Sequence, residues 1–469
     1  STQSRSSAAS DVYKRQLQDC DNKEDFFVKK RILSALMVGA MCTGLLSGCG
    51  GGKAASTGDS SAADNAATAT DDNTLTVWCW DPAFNINAMK EAEKVYQADH
   101  PDFKLNIVET PWADVQTKLN TAGAAGDLST LPDIFLMQDN AFAKNQISFP
   151  DAFTNLTDTK AFDFTQFAPG KLAYSTVNGV NYGVPFDNGT VIAAYRTDIL
   201  EQAGYKVEDL TDIDWDKYIE IGKDVLAKTG KPLLSCQANE ADIIMIMLQS
   251  TGASLFDAEG NPNIVGNETL KKALETYKEL KESGVMVLVN DWDQYITTMN
   301  AETVAGTING CWIMGSIRAA KDQSGKWAVT NLPKLAGIGE QTNYSNNGGS
   351  SWAVSGSSKK KDLAVDFLAK TFAGSTKLYD SILPSGALAT WLPAGNTEAY
   401  SEKVEFFGGQ EVYKLLTDFA SKTPKNNTGV YYYEARDAVA VAATNIIAGA
   451  DVDSELKTVQ DTVNFAMGK

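Results

Sequence analysis

Histidine is nearly missing from the 469 residues: His100, inside Asp99-His100-Pro101, is the single one. A histidine-based triad and a multi-histidine metal site are thereby nearly excluded, since that one histidine sits in a helix-ending turn, and with them much enzyme chemistry. No G-x-S-x-G, H-E-x-x-H or G-x4-G-K-[ST] occurs, so a nucleophile elbow, a zinc hydrolase helix and a phosphate cradle lack their residues. Cysteine is sparse and never spaced C-x-x-C, which indicates neither a disulfide framework nor a zinc ribbon. Cys79, Cys236 and Cys311, an odd number in the folded body, read as small buried hydrophobes. Positive charge is also short, with 41 Lys+Arg against 59 Asp+Glu and a formal charge of −18. That balance argues against nucleic acid and against an anionic membrane surface as partners.

What is present near the start is a basic flank, an apolar run and small residues before a cysteine: Lys29 to Cys49, KKRILSALMVGAMCTGLLSGC. This is the layout of a secretory signal, and the run from Ile32 to Leu46 is shorter than the about 20 residues that span a bilayer. Leu46-Ser47-Gly48-Cys49 resembles a bacterial lipobox. The resemblance implies lipidation of Cys49, cleavage before it and anchoring of an extracytoplasmic protein to the cell membrane. A signal begins a precursor, so residues 1–27, polar and without hydrophobic period, read as an artefactual extension and Val28 as the initiator. Residues 28–48 are then the signal peptide. Removing residues 1–48, with 7 Lys+Arg against 5 Asp+Glu, takes the formal charge from −18 to −20. Residues 49–73 are Gly, Ala, Ser, Thr and Asp with almost no large apolar side chain, and read as a disordered tether.

The body is long enough for two ordinary domains. It opens with a β-rich run, Leu75 to Trp80, then a helical stretch over 88–99, an apolar strand over 104–108, a helix over 113–122 and a strand ending at Met137. Strands alternating with helices predict an α/β unit with a mainly parallel sheet. In such sheets ligands sit beyond the carboxyl ends of the strands, here Trp80-Asp81 and Gln138-Asp139-Asn140. Further helices are predicted over 215–228, 243–248, 270–283 and 359–371.

Four stretches carry a family resemblance. YGVPFDNGTVIAAYRTDIL, from Tyr182, is similar to a chain crossing in the extracellular solute-binding proteins that deliver sugars to ABC importers. Thr307-Ile308-Asn309-Gly310 followed by Cys311-Trp312 is similar to the maltose-binding branch, in which the tryptophan stacks on a sugar ring. YSNNGGSSWAVS, from Tyr344, resembles the return to the first lobe, and the aromatic helix from Gly429 resembles the family's late element. The resemblance implies a two-lobed, periplasmic-binding-protein-like α/β fold of the class II type, each lobe a mainly parallel sheet flanked by helices, with the ligand cleft between lobes. The first lobe is expected at 74–187 plus 352–394 and the second at 188–351 plus 395–469. Hinges are expected at 188–190, 348–351 and near Ala394. A monomer is implied, with importer permease subunits as partners, no cofactor and no metal.

A sugar offers hydroxyls at its rim and weakly polarised C–H bonds on its faces, so its site needs aromatic platforms and short carboxylates or amides. Candidate platforms are Trp80, Trp292, Trp312, Trp352 and Tyr432; candidate rim groups are Asp81, Asp139, Asn140, Asp187 and Asn188. Trp78, alternating with Trp80 along one strand, is assigned to packing. Asp139 and Asn140 stand equally as helix caps, Asp187-Asn188 as a turn pair, and Trp292 and Trp352 as core residues. Two rival functions remain: an extracytoplasmic glycoside hydrolase, since carboxylates among aromatics describe those sites too, and the same fold binding a peptide or polyamine.

Overall fold

The computed structural model describes residues 72–339, 341–425 and 428–469. The extension 1–27, the signal 28–48, Cys49 and nearly all of the tether lie outside the described residues. No helix among the described residues is long and apolar enough to cross a membrane.

The body begins with the predicted alternation. β1 (Thr74–Cys79), α1 (Asn85–Gln97), β2 (Lys104–Glu109), α2 (Trp112–Ala125) and β3 (Ile134–Gln138) follow one another, and α3 (Asp139–Ser148) starts directly after β3. The three strands pair in parallel in the order β2-β1-β3. Leu75, Val77 and Cys79 enter the core on one face of the sheet and Trp78 the core on the other, as a period of two demands. β3 is apolar from Ile134 to Met137 because both its faces are covered.

The chain leaves this lobe through β4 (Gly183–Asp187), passes residues 188–190 and continues as β5 (Val191–Arg196). The second lobe then adds α4 (Trp215–Thr229), β6 (Leu234–Gln237), α5 (Asp242–Gln249), α6 (Glu268–Glu282), β7 (Met286–Val289), α7 (Trp292–Asn300), β8 (Gly306–Gly310) and β9 (Trp327–Thr330). α4 starts where the Asp214 carboxylate accepts the Lys217 N–H at 2.8 Å and stops at Gly230 in the left-handed region. α5 is buried along its whole apolar run from Ile243 to Leu248.

A mainly parallel sheet does not hold for the second lobe, and that expectation is corrected. β5 pairs antiparallel with both β8 and β9, and only β6 with β7 is parallel. The reason is the entry point: β5 carries the chain away from the crossing, and β8 brings it back, so that Gly310 ends opposite Val191 and delivers Trp312 to the crossing. Val191, Ala193 and Tyr195 face one core of this lobe while Ile192 and Ala194 face the other.

β10 (Ser350–Val354) returns to the first sheet and inserts between β3 and β4, antiparallel to both. Trp352 therefore sits on an interior strand, 0 % exposed, with Phe186 and Phe372 at centroid distances of 5.4 and 5.5 Å. Its candidacy as a ligand platform is corrected: it is core. Near 383–400 the chain touches both lobes again, with Ala387 and Ala394 in the first core and Leu388 and Tyr400 in the second. The second lobe is completed by a hairpin of α8 (Tyr432–Ile447) and α9 (Val452–Ala466).

The two crossing segments, 188–191 and 345–349, lie side by side. Asn347 N–H donates to Gly189 O at 2.8 Å and Val191 N–H to Ser345 O at 3.0 Å. Gly189 has φ +66°, and a Cβ there would stand 2.3 Å from Asn347 O. Gly349 has φ +99°, and its Cβ would meet the Asp139 carboxylate at 2.5 Å. Only glycine tolerates both the conformation and the approach.

Candidate ligand cleft

Beneath these paired crossing segments lies a buried ionic cluster. Lys171 Nζ donates to the Asp139 carboxylate and, at 2.8 Å, to Ser350 O. Ser351 Oγ donates to Asp139 at 3.1 Å, and Ser350 Oγ donates to Asp187. Lys171, Asp139 and Asp187 are all buried. Lys171 pairs with Asp139 and acts on Asp187 through its charge alone, and burial pushes the Asp139 carboxyl up to about 6, with Lys171 opposing and Asp187 adding to the rise. Burial also pushes Asp187 up, again opposed by Lys171. The expectation that Asp139 and Asp187 stand at the cleft rim is corrected: desolvation is offset here by Lys171 and the serines, and both acids bind hinge strands together.

The remaining candidates spread across the front of the hinge. Trp80, half-buried, has the ring of Trp112 at 5.4 Å, and Trp112 has Tyr433 at 5.8 Å. Tyr433 O–H donates to Gln138 Oε1. Since Trp80 and Trp112 follow β1 and β2 while Tyr433 belongs to the first turn of α8, the aromatic row runs from one lobe to the other. Asp81 caps its own turn, accepting the N–H groups of Ala83 at 2.8 Å and Phe84 at 3.1 Å. Asn188 is half-buried in the crossing. Trp312 is half-buried, with Nε1–H donated to Asn347 O at 3.1 Å and Trp292 at 5.7 Å. Tyr432 and Asn140 line one cavity of about 40 Å³ together with Tyr174, Met245, Gln249 and Asn346. That lining draws on both lobes and on the crossing.

The strongest polar constellation involves residues that sequence reasoning missed. The Asn347 side-chain amide donates to Asn309 Oδ1 at 2.8 Å and to Asp242 Oδ2 at 3.2 Å. Arg436, on α8, donates to Asp242 Oδ1 at 2.8 Å and to Glu240, and stacks 5.7 Å over the Tyr433 ring. Burial pushes the Asp242 carboxyl up, opposed by the Asn347 amide. Burial likewise lowers the Arg436 guanidinium from its usual value. Lys144 of α3 pairs with Glu434 of α8 and lies 5.1 Å over the Tyr431 ring. Acceptors, amides and tilted aromatic faces thus meet in one cleft, a combination suited to hydroxyl-rich rings. Among the described residues no group of acids, histidines and cysteines is arranged to hold a metal ion.

Residues 91–386 match the profile of the bacterial extracellular solute-binding protein family. The chain belongs to that family. A lactose-binding protein of Rhizobium radiobacter is 43 % identical over 388 residues, covering 82 % of this chain and 91 % of that protein. An arabinooligosaccharide-binding protein of Bacillus subtilis is 27 % identical, covering 94 % of this chain and 99 % of that one. A solved ABC-transporter-associated binding protein from B. animalis subsp. lactis, in complex with β-1,6-galactobiose, superposes with a TM-score of 0.72 at 21 % identity, over 84 % of this chain and 97 % of that one. The two-lobed solute-binding fold read from the sequence is thereby established, and family membership places the body outside the cytoplasm.

Proposed function

We propose that the chain captures a neutral di- or oligosaccharide between its lobes, a galactoside such as lactose being the first candidate, and hands it to the permease subunits of an ABC importer. The observation that carries the reading is the aromatic row Trp80–Trp112–Tyr433, passing from one lobe to the other beside Asp242, Asn309 and Asn347. The 43 % identical lactose-binding relative supports the choice of sugar. The cavity between the lobes, about 40 Å³, is far below the roughly 300 Å³ at which small-molecule pockets begin. A sugar therefore enters only when the lobes part, and its contacts to both lobes favour reclosure about the paired crossing strands, a hinge motion of the kind known for such two-lobed receptors.

Binding rather than hydrolysis fits the acids of the cleft. Glu240 and Asp242 both accept from the one guanidinium of Arg436, so both are arranged as hydrogen-bond acceptors, whereas a glycosidase needs one acid placed to donate its proton to the glycosidic oxygen. Cys49 is assigned as the lipid-bearing residue, holding the body near a membrane importer through the tether of residues 49–73.

A thermal-shift and calorimetric screen against lactose, β-1,6-galactobiose, arabino-oligosaccharides and spermidine tests the reading. Stabilisation by one or more of the sugars is expected; spermidine alone stabilising the protein, or release of reducing sugar, would replace it. Acyl-peptide mass spectrometry at Cys49, with release from the membrane on Cys49→Ala, tests the anchor.

A further inference from the structure

Beside Asp242 the second lobe holds a separate chamber of about 20 Å³, lined by Ser235, Gln237, Glu240, Asp242, Tyr295 and Asn309. A single water needs roughly 10–15 Å³, so the chamber takes one hydroxyl-sized group and not a ring. Most of its polar wall is already engaged internally. Asn309 Nδ2 donates to the Tyr295 hydroxyl at 3.0 Å, and its Oδ1 accepts from Asn347 and from Gly310 N–H at 2.9 Å. Ser235 Oγ shares a hydrogen bond with Thr298 Oγ1 at 2.7 Å. The Asp242 carboxylate takes one donor on each oxygen, Arg436 on Oδ1 and Asn347 on Oδ2. A carboxylate accepts about four hydrogen bonds, so about two acceptor directions remain. Beside the Gln237 amide, which lines the same chamber, what the wall has left over is acceptor capacity on Asp242.

Resting on the sugar-binding reading above, we propose that this chamber is a single-hydroxyl specificity pocket: one O–H of the bound sugar donates to Asp242, and Arg436 is the positioning residue that holds the carboxylate in place. Arg436 reaches from α8 to the first turn of α5, so it fixes the acceptor against the lobe that carries the aromatic row's last ring. A chamber of this size with a fixed acceptor discriminates by loss. An analogue without the hydroxyl covers the Asp242 carboxylate, 34 % exposed in the absence of ligand, without giving it a partner, and one with a methoxyl neither fits nor donates.

The test is calorimetric titration of the full chain with lactose, then β-1,6-galactobiose, and with the monodeoxy series of whichever is bound. In the wild type, deoxygenation at one position should weaken binding about 100-fold and at the others much less. In Asp242→Asn the penalty at that position should shrink several-fold, because an amide keeps one uncharged acceptor oxygen in place of the carboxylate's two and turns a donor toward the sugar, while the penalties elsewhere stay as they were. Arg436→Met should shrink the same penalty and Arg436→Lys should restore part of it, a pattern that a general packing role for Arg436 does not produce. Deoxy penalties that are equal in wild type and Asp242→Asn would overturn the pocket while leaving sugar binding standing. Failure of the wild type to bind either sugar would bring down both.

Discussion

The two lobes bring different chemistry to one cleft. The first lobe faces it with the flat rings of Trp80 and Trp112, and keeps its charged groups, Asp139, Asp187 and Lys171, buried under the hinge. The second faces it with charge, Asp242 and Arg436, partly open to the cleft, and backs it with the buried amide of Asn309. Ionisable groups thus serve two purposes. Under the hinge they satisfy one another and bind strands; across it they retain acceptor capacity that a ligand can use.

The comparison is broken most severely through tryptophan. Trp352→Ala removes a fully buried indole between Phe186 and Phe372 and should cost about 3–5 kcal/mol of stability by guanidinium unfolding. Trp112→Ala, at the half-buried edge of the same lobe, should cost far less stability yet weaken lactose binding about tenfold. Equal destabilisation by the two would erase the distinction between core and cleft tryptophan.

Next in size is the hinge cluster. Lys171→Met leaves Asp139 and Asp187 buried without their cation and should cost about 3–5 kcal/mol at pH 7.5. At pH 5 the loss should be smaller, because the carboxyls then take up protons in place of the lost charge. A loss independent of pH would mean that packing of the lysine stem, not its charge, is what matters.

The wild-type cluster has a pH signature of its own. The Asp139 carboxyl is pushed up to about 6 in the folded protein, above the about 3.9 of an unfolded chain. A group raised on folding contributes stability that is fully present below about 3.9 and is lost as the pH rises through 6. Melting temperature should therefore fall across pH 5 to 7.5, and Asp187→Asn, which removes the second negative charge, should flatten that slope. An unchanged slope would show that Asp187 is not coupled to Asp139.

Some of this was legible in the sequence and some was not. The βα alternation, the apolar α5 and the Asn-Gly-Cys-Trp turn are local patterns, and each falls where periodicity and capping place it. Strand direction in the second lobe is not local, since it depends on where the chain enters, and β5 enters from the crossing. Trp352 and Trp80 look alike in sequence, each an aromatic in a β-rich run; what separates them is that β10 has neighbours on both sides and Trp80 lies past the end of β1. Asp242 and Arg436 are 194 residues apart, so nothing local announces their contact. The available sign was an acid set immediately before the uninterrupted run Ile243 to Leu248, where a charge at the mouth of a buried helix needs a partner.

The smallest expected effect concerns the contact by which the lobes touch away from the hinge. Lys144 and Glu434 come from α3 and α8, one from each lobe, and both side chains are about one-third exposed. Water and salt screen such a pair, so Glu434→Gln should change folding stability by less than about 1 kcal/mol. Its influence belongs to the closed arrangement, which is the one where the two helices meet, and so it should appear in ligand dissociation. A few-fold faster release of lactose at low ionic strength is expected, fading as salt is added and the pair is screened in wild type as well. Lys144→Glu combined with Glu434→Lys should restore slow release if charge pairing is what holds the lobes together. Restoration that fails, with each single variant unchanged from wild type, would assign closure to the Tyr433–Gln138 bond and the aromatic row alone.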